Sequence, residues 1–399
     1  MRLLTSPNVW HALCSTANTG FAMIRARICV VACALLGLIL IDGCELSPLQ
    51  VNPQAGAVSN DGGSDAAGLI GAGGTAGVRV RCTDGVNRTI SEFNVSASVC
   101  GPYGCVPEGI TTGPDGNLWF TDTSANSIGR MTLDGAVTYF LIPTENASPV
   151  DIITGPDGNL WFTETQEAEQ AIVQNSIGRI TPSGTITEFP LPIAHNYSQG
   201  ITAGPDGNIW FTETGANAKA AIGRITPSGT ITDFPLPFSE SLPEGITAGP
   251  DGNLWFAEWY GNAIGRITPS GTITEFSLPF GSWGPAGITT GPDGNLWFSE
   301  FLVPDFYRIG RSMLGGEYLQ FQLPAGTTPK IIVTGPDGNL WFASNARDDS
   351  SIMRATPTGT IAECPLPTAE SWPYGIAVGP DRNLWFTESG SGKIGRLTP

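Results

Sequence analysis

A short pattern of apolar and polar residues recurs along most of the chain. At residues 253–258 it reads Asn-Leu-Trp-Phe-Ala-Glu, with three consecutive apolar residues after a polar one. Side chains alternate between the two faces of a strand, so Leu254 and Phe256 point to one side and Trp255 to the other. Apolar groups on both faces predict a strand in a sheet that is covered on both sides.

Three more strand patterns complete a unit of four. In chain order, strands a, b, c and d are predicted at residues 245–248, 253–258, 263–268 and 272–276. The a-to-b turn is Pro-Asp-Gly and the c-to-d turn is Pro-Ser-Gly, in which glycine takes a positive φ without steric cost. The aspartate is interpreted as a turn former rather than as a metal ligand.

The unit recurs seven times. The segment Gly-Pro-Asp-Gly-Asn-Leu-Trp-Phe returns almost unchanged at intervals of 42–49 residues, beginning at Gly113, Gly155, Gly204, Gly249, Gly291, Gly335 and Gly379. Repeats of this length fit one four-stranded blade each, so the sequence predicts an all-β, seven-bladed β-propeller. The 52 glycines and 32 prolines agree with many short strands and tight turns.

The seventh unit stops after strand c, and a matching strand d occurs near the N-terminus. Residues 89–94, Thr-Ile-Ser-Glu-Phe-Asn, resemble strand d of the fourth unit. We expect this segment to complete blade 7 and remove the open edge between the first and last blades. The propeller is therefore predicted at residues 82–399.

The N-terminal residues predict export. An apolar run at 28–41 follows Arg25 and Arg27, and its length suits a signal peptide better than a membrane span. The run leads to Cys44 in a pattern that resembles a lipoprotein signal, so residues 1–44 are predicted as a signal with Cys44 lipidated, or as an ordinary cleaved signal. Translation starts at Met1 or Met23. Residues 45–81 are predicted as a flexible linker, and the protein as extracytoplasmic, lipid-anchored or secreted.

Four cysteines fall in the predicted propeller, where an oxidising compartment favours disulfides. They are Cys82, Cys100, Cys105 and Cys364. Three pairings are possible, and we favour Cys82 joined to Cys100 or Cys105. The spacing from Cys100 to Cys105 does not predict a zinc site, because no second Cys or His pair accompanies it.

The charge of the chain narrows the choice of partner. A net charge of −17 is opposite to the basic surface that neutralises phosphates, so nucleic acid is excluded as a partner. Cations, neutral apolar ligands and cationic peptides remain compatible with it. We expect a monomer that meets a membrane only through its signal or lipid.

One rim of the propeller is predicted to carry function. The uniform Pro-Asp-Gly and Pro-Ser-Gly turns share one rim, whereas the b-to-c and d-to-a loops, which vary in length, share the other. This second rim, the variable-loop rim, is predicted to bind a small molecule or peptide. Its loops carry the aromatic residues Tyr197, Phe238, Trp259, Tyr260, Phe280, Trp283, Phe301, Phe306, Tyr307, Trp372 and Tyr374.

Two sets of polar residues are predicted on that rim. Residues that begin strand a surround the mouth of the central channel: Glu108, Asp151, Gln199, Glu244, Ala286, Lys330 and Tyr374. Lys330 is expected to stay charged beside its acidic neighbours and either to orient an anionic or carbonyl group or to balance those acids. Strand b ends in carboxylates at Asp122, Glu164, Glu213, Glu258, Glu300 and Glu388. They could hold a divalent cation, but we favour pairing with the single arginine on each strand c.

The repeat resembles that of a known family. The sequence Gly-Pro-Asp-Gly-Asn-Leu-Trp-Phe-Thr-Glu, followed by Asn-x-Ile-Gly-Arg-Ile-Thr and Gly-x-Ile-x-Glu-Phe-x-Leu-Pro, is similar to that of the virginiamycin B lyase, or streptogramin lyase, family over residues 89–399. The resemblance implies a seven-bladed propeller. In active members it also implies a Mg²⁺-assisted elimination that opens a cyclic depsipeptide antibiotic and so confers antibiotic resistance.

Several positions depart from what the resemblance implies for catalysis. The two histidines of active members fall at Lys330 and Tyr374, and an aromatic position falls at Glu108. Histidine titrates near neutral pH and tyrosine does not, so Tyr374 cannot replace a histidine base. The only histidine within residues 82–399 is His195, four residues before a channel-mouth position. Glu108, Lys330, Tyr374 and His195 are the remaining catalytic candidates.

The metal site implied by the resemblance is also incomplete. One metal-binding carboxylate falls at Trp372, and the other falls near Ser389, with Glu388 one residue short. Glu388 is thus the candidate ligand if Mg²⁺ binds.

The absent histidines favour recognition over catalysis. We predict an exported, streptogramin-lyase-like propeller that binds a ligand through Glu244, Trp259, Trp283 and Trp372. The alternative is a divergent virginiamycin B lyase, a Mg-dependent carbon–oxygen lyase that linearises streptogramin B antibiotics.

Overall fold

Seven antiparallel sheets make up the described part of the protein. The computed structural model describes residues 77–95, 100, 104–166, 175–192, 196–215, 220–279, 284–302, 306–345 and 350–399. Strands β1 to β30 of these residues form a ring of seven blades, which confirms the predicted propeller. Within the same ranges, no helix has the length and apolarity needed to cross a membrane.

The first four blades follow one another along the chain. Blade 1 consists of β3 (Pro107–Thr112), β4 (Leu118–Asp122), β5 (Ser127–Met131) and β6 (Val137–Leu141). Blade 2 consists of β7 (Pro149–Thr154), β8 (Leu160–Glu164), β9 (Ser176–Ile180) and β10 (Ile186–Pro190). Blade 3 consists of β12 (Ile201–Ala203), β13 (Ile209–Gly215), β14 (Ala221–Ile225) and β15 (Ile231–Pro235), with the short β11 (Asn196–Tyr197) paired to β13. Blade 4 consists of β16 (Pro243–Ala248), β17 (Leu254–Glu258), β18 (Ala263–Ile267) and β19 (Ile273–Ser277).

The last three blades complete the ring. Blade 5 consists of β20 (Pro285–Thr290), β21 (Leu296–Leu302), β22 (Phe306–Ser312) and β23 (Tyr318–Gln322). Blade 6 consists of β24 (Pro329–Thr334), β25 (Leu340–Asn345), β26 (Ser350–Ala355) and β27 (Ile361–Pro365). Blade 7 consists of β28 (Pro373–Val378), β29 (Leu384–Glu388), β30 (Lys393–Thr398) and two strands from the N-terminal side, β2 (Asn87–Asn94) and β1 (Val78–Arg81).

The N-terminal strand closes the ring as the sequence predicts. β2 pairs antiparallel with β30, with Thr89 opposite Thr398 and Asn94 opposite Lys393. β1 then pairs with β2 and gives blade 7 a fifth strand. The linker predicted at residues 45–81 is therefore wrong at Val78–Arg81, which form this strand. The strand is not evident in the sequence because Val-Arg-Val-Arg has no counterpart in the other units.

The hydrophobic core is divided into clusters that lie between adjacent blades. Trp255 of blade 4 packs with Leu296 and Phe298 of blade 5, whereas Leu254 and Phe256 pack with the tryptophan of blade 3. The same arrangement is repeated around the ring, and the last cluster joins the tryptophan of blade 7 to blade 1. Both faces of strand b are therefore buried, as predicted. The seven tryptophans, all buried, are Trp119, Trp161, Trp210, Trp255, Trp297, Trp341 and Trp385.

Each buried indole is held by the preceding turn. In blade 2, Trp161 Nε1 donates to Asp157 Oδ1 at 3.0 Å, and Asn159 Nδ2 donates to Asp157 Oδ2 at 2.8 Å. Partial burial opposes ionisation, but these hydrogen bonds outweigh it and the pKa of Asp157 is lowered. The same tryptophan-to-aspartate bond occurs in all seven blades at 2.9–3.0 Å, which agrees with the turn role assigned to the aspartates.

The strand-c arginine covers the indole and reaches the next blade. The Arg179 guanidinium lies 5.5 Å from the Trp161 ring centroid and 5.4 Å from that of Phe189 on strand d. It also donates to the Pro227 carbonyl of blade 3 at 2.8 Å. A cation between two rings contributes about 0.5–2 kcal/mol, depending on how far it is desolvated.

Blade 6 replaces this arrangement with a disulfide. Cys364 occupies the strand-d position that phenylalanine fills in the other blades, and it is bonded to Cys82. Arg88 of β2 lies over Trp341, and Asp84 pairs with both Arg88 and Arg354 at 2.9 Å. The N-terminal segment is thereby joined to blade 6 as well as to blade 7.

The predicted disulfide pairing is wrong. The observed bonds are Cys82–Cys364 and Cys100–Cys105. Cys100 and Cys105 are the cysteines closest to Cys82 along the chain, whereas ring closure brings Cys82 beside the outer strand of blade 6.

We expect the long-range disulfide to contribute more to stability than the local one. Replacing Cys82 and Cys364 together by Ser should lower the free energy of unfolding by about 2–5 kcal/mol, because this bond closes a loop of most of the ring. Urea denaturation measures the change. The matched Cys100→Ser, Cys105→Ser variant opens only a short loop, so its free energy of unfolding should fall less. Equal losses in the two variants would contradict the larger contribution of the Cys82–Cys364 bond.

Candidate functional site

The channel mouth is lined by the second residue of the inner strands. In blades 1, 4, 6 and 7 these are Glu108, Glu244, Lys330 and Tyr374, all half-buried. The negative charges of Glu244 and Glu108 both act on the Lys330 ammonium group. The structure therefore brings together the four polar residues that the sequence analysis placed at this mouth in these blades.

An aromatic row borders Lys330. Its ammonium nitrogen lies 5.6 Å from the Phe301 ring centroid and 6.0 Å from that of Tyr374. The Phe301 centroid lies 4.8 Å from that of Trp259 and 5.7 Å from that of Tyr307. The aromatic row, defined as Trp259, Phe301, Tyr307 and Tyr374, extends from blade 4 to blade 7. The Phe301–Lys330 contact could not be read from the sequence, because it joins β21 of blade 5 to β24 of blade 6 and no repeat pattern marks it.

The surroundings of Lys330 act on its pKa in opposite directions. Burial lowers the pKa of its ammonium group, and the carboxylates of Glu244 and Glu108 oppose this effect only in part. The acidic neighbours of Lys330 can be inferred from the repeat in the sequence. The aromatic rings that remove water from the amine are seen only in the structure.

Trp372 presents its ring to solvent on a rigid backbone. Its side chain is 42% exposed, and its φ of 49° lies in the left-handed region that disfavours non-glycine residues. The Trp372 amide donates to Ser350 Oγ at 3.2 Å, and its carbonyl accepts from Ser389 Oγ at 2.8 Å. The same left-handed φ occurs at Ser148 (47°) and Leu242 (51°), which also precede the first proline of strand a, so this conformation belongs to the blade loop. Two other candidates, Trp283 and His195, lie outside the described residues.

The assignment of Asp151 to the channel mouth is wrong by one residue. Val150 occupies that position, and Asp151 replaces the glycine that follows it in most other blades. The Asp151 carboxylate accepts from the amides of Ile152 at 2.9 Å and of Ile201 in blade 3 at 3.3 Å. Burial raises the pKa of Asp151 to about 7 despite these bonds. The glycine at this position aligns strand a of the repeats. Because Asp151 replaces it in blade 2, the alignment of that strand is displaced by one residue.

The strand-b carboxylates do not pair with the strand-c arginines, contrary to the favoured interpretation. The acids at Asp122, Glu164, Glu213, Glu258, Glu300 and Glu388 are all buried. Arg179 lies directly opposite Trp161, whereas Glu164 is on the face of Leu160 and Phe162 because side chains alternate. Proximity along the hairpin therefore does not bring acid and base together.

Three strand-b glutamates, Glu164, Glu258 and Glu388, face acids on strand d instead, whereas Glu300 accepts from Tyr318 and Gln320. Glu164 and Glu188 approach each other across Gly178, where a Cβ atom would collide with the Phe162 ring. Burial, followed by the charge and hydrogen bonding of Glu188, raises the pKa of Glu164 to about 9.

Two more blades repeat the carboxyl pair. Burial and the charge of Glu92 raise the pKa of Glu388 to about 8. Burial and the charge of Glu275 raise the pKa of Glu258 to about 7. The signal in the sequence was the recurrence of Trp-Phe-Thr-Glu and Ile-Thr-Glu-Phe around the strand-c glycine, which was not interpreted as a pair.

The described residues do not provide a fitting Mg²⁺ site. Glu388 is fully buried, accepts from Ser391 Oγ at 3.3 Å, and lies near Glu92 and the ammonium group of Lys393. The ammonium group of Lys393 beside this carboxyl disfavours a hard dication there. Among these residues, the one group within metal-binding distance is Cys100, Cys105 and Asp122, whose two sulfurs form a disulfide. Mg²⁺ remains a prediction from the family resemblance.

Fold and site together define a single-chain seven-bladed β-propeller that is closed by an N-terminal strand and carries a polar, aromatic channel mouth. The profile of the Virginiamycin B lyase family matches residues 79–282 and 278–399. The chain belongs to this family.

Solved structures agree with the family assignment. The chain is 39% identical to virginiamycin B lyase from Staphylococcus aureus, with a TM-score of 0.69, covering 78% of this chain and 99% of that one. It is 37% identical to a streptogramin B lyase, with a TM-score of 0.68, covering 77% of this chain and 97% of that one. Virginiamycin B lyases of Bordetella parapertussis and Bordetella bronchiseptica are each 46% identical over 41 residues, which covers 10% of this chain and 14% of each relative.

The raised pKa of Glu164 gives stability a defined pH dependence. Unfolded glutamate has a pKa of about 4.3, so the native protein retains a proton that the unfolded chain releases as pH rises from about 5 towards 9. Stability present at pH 5 is therefore lost towards pH 9. Glu164→Gln stays neutral in both states and should be more stable than the parent by about 1–3 kcal/mol at pH 9, with little difference at pH 5.

Urea denaturation at both pH values measures this difference. The control is Glu145→Gln, which changes an exposed glutamate of the neighbouring loop and should leave the pH dependence as it was. A Glu164→Gln variant that loses stability with pH as steeply as the parent would show that the carboxyl pair does not hold its proton.

Proposed function

We propose that this protein is an exported ligand-recognition propeller of the virginiamycin B lyase family, which binds its ligand at the channel mouth. The ligand carries an aromatic ring beside a carbonyl or anionic group. The observation that carries the proposal is Lys330, whose ammonium group lies between the rings of Phe301 and Tyr374. A few convergent polar groups within an apolar surround are typical of ligand sites.

The exposed and half-exposed tryptophans support this location. The Trp372 ring faces solvent, and Trp259 continues the aromatic row beside Phe301. Large aromatic side chains in such positions are frequent anchors of binding energy. The export signal, the lipidation of Cys44 or secretion, and the monomeric state expected from the sequence belong to the same proposal.

A relative supports recognition without catalysis. A catalytically inactive variant of the Staphylococcus aureus lyase, in which one histidine is replaced by alanine, was solved with quinupristin; it is 38% identical to this chain with a TM-score of 0.66. The present sequence contains two histidines, His11 and His195, and the mouth residues named above include neither. A propeller of this family without its histidine can therefore still hold a ligand.

A divergent lyase is the second candidate function. Identity of 37–39% to solved lyases over most of the chain favours it, as does Lys330, whose pKa is shifted in the direction that a lysine general base requires. Mg²⁺ would be its cofactor, as the family resemblance implies.

Quinupristin is the probe that separates the two functions. We expect the purified protein to bind it without turnover in the presence of Mg²⁺, as followed by calorimetry and by mass detection of the linear product. Trp259→Ala should weaken binding by about 1–3 kcal/mol, because the ring packs directly on Phe301.

The control for location is Ser270→Ala, in the exposed Pro-Ser-Gly turn of blade 4, which should leave affinity unchanged. Linearised product that disappears with EDTA would overturn the recognition module in favour of the lyase. Equal affinity of the Trp259→Ala variant would place the ligand elsewhere.

A further inference from the structure

The chain contains three lysines in 399 residues, Lys219, Lys330 and Lys393. Lys393 is fixed by strong acceptors: its ammonium nitrogen donates to Glu92 Oε2 at 2.8 Å and to Thr368 Oγ1 at 2.6 Å. Lys330 instead lies between two ring faces, those of Phe301 and Tyr374. The two amines therefore differ in environment although both are half-buried.

The surroundings of Lys330 shift its protonation equilibrium towards the neutral amine. Ring faces exclude water without offering a full negative charge, so the cation loses hydration that a cation–π contact of about 0.5–2 kcal/mol replaces only in part. The charged groups that act on it are the carboxylates of Glu244 and Glu108, and the lowered pKa shows that desolvation outweighs them. A lysine desolvated in an apolar pocket is a nucleophile towards carbonyl carbon.

We propose that Lys330 is a carbonyl-capturing amine, which forms a reversible imine with aromatic aldehydes or ketones that enter the channel mouth. The aromatic row supplies surface for the ligand ring, and the ammonium nitrogen lies 5.6 Å from the centroid of Phe301, a member of that row. This inference rests on the channel mouth being the ligand site proposed above.

The capture step balances without an oxidant or reductant. The lysine nitrogen forms a bond to the carbonyl carbon, and the carbonyl oxygen takes up a proton to give a carbinolamine. The nitrogen then loses a proton, the hydroxyl group leaves as water after protonation, and the carbon–nitrogen double bond forms. Glu108 and Glu244 are the carboxyl groups whose charges reach the amine and that can exchange these protons.

Reductive trapping tests the proposal without knowledge of the natural ligand. The purified full-length protein is incubated at pH 7 with benzaldehyde and cyanoborohydride, and peptide mass spectrometry follows the benzylated fraction at each lysine. Lys330 should react faster than Lys393 and Lys219, since a lowered pKa raises the fraction of neutral amine at pH 7. Equal rates at the three lysines would overturn the proposal.

A second aldehyde separates this inference from the proposed function. Propanal offers the same carbonyl chemistry without a ring, so benzaldehyde should be captured preferentially at Lys330, and Trp259→Ala should reduce that preference. Selective reaction of Lys330 with both aldehydes at equal rates would keep the reactive amine but overturn the aromatic class of ligand. Quinupristin binding that depends on Trp259, with no selective reaction at Lys330, would keep the recognition function and overturn the covalent capture.

Discussion

The packing of the ring depends on one buried indole in each blade. A tryptophan in an apolar interface needs a partner for its N–H, and the aspartate of the preceding turn provides it at 2.9–3.0 Å in every blade. The indole then packs on the leucine and phenylalanine of the next blade, as Trp255 does on Leu296 and Phe298. The hydrogen bond to the turn and the packing between blades therefore constrain the same residue, the buried tryptophan. This explains why the Pro-Asp-Gly rim is so uniform.

The opposite rim is free of that constraint and varies. Its acids lie on the face of strand b away from the indole, where Glu164 meets Glu188 rather than an arginine. At the channel mouth, equivalent positions hold an acid at Glu108, an amine at Lys330 and a phenol at Tyr374. A constant scaffold thus carries different chemistry from blade to blade, and membership of a lyase family does not by itself specify what this mouth does.

The sequence predicted the features that repeat and failed on those that occur once. Seven copies of one motif were enough for the blade count, the two-sided burial of strand b and closure by residues 89–94. The Cys82–Cys364 bond could not be predicted, because it depends on three-dimensional closure and on the loss of one phenylalanine from blade 6. Asp151 was misplaced because it replaces the glycine used for alignment. The contact between Phe301 and Lys330 joins two different blades, and no periodic signal marks it.

The Cys82–Cys364 bond also determines how the ring bears mechanical load. A pull applied through residues before Val78 first reaches β1, which would peel from β2 one hydrogen-bonded pair after another. Beyond Arg81 the force meets a covalent bond to β27 of blade 6, so tension passes into the scaffold before it reaches the strand that closes the ring. In the oxidised protein the closing strand is thus shielded from a tether, and reduction would leave the β2–β30 pairing of blade 7 to carry the force.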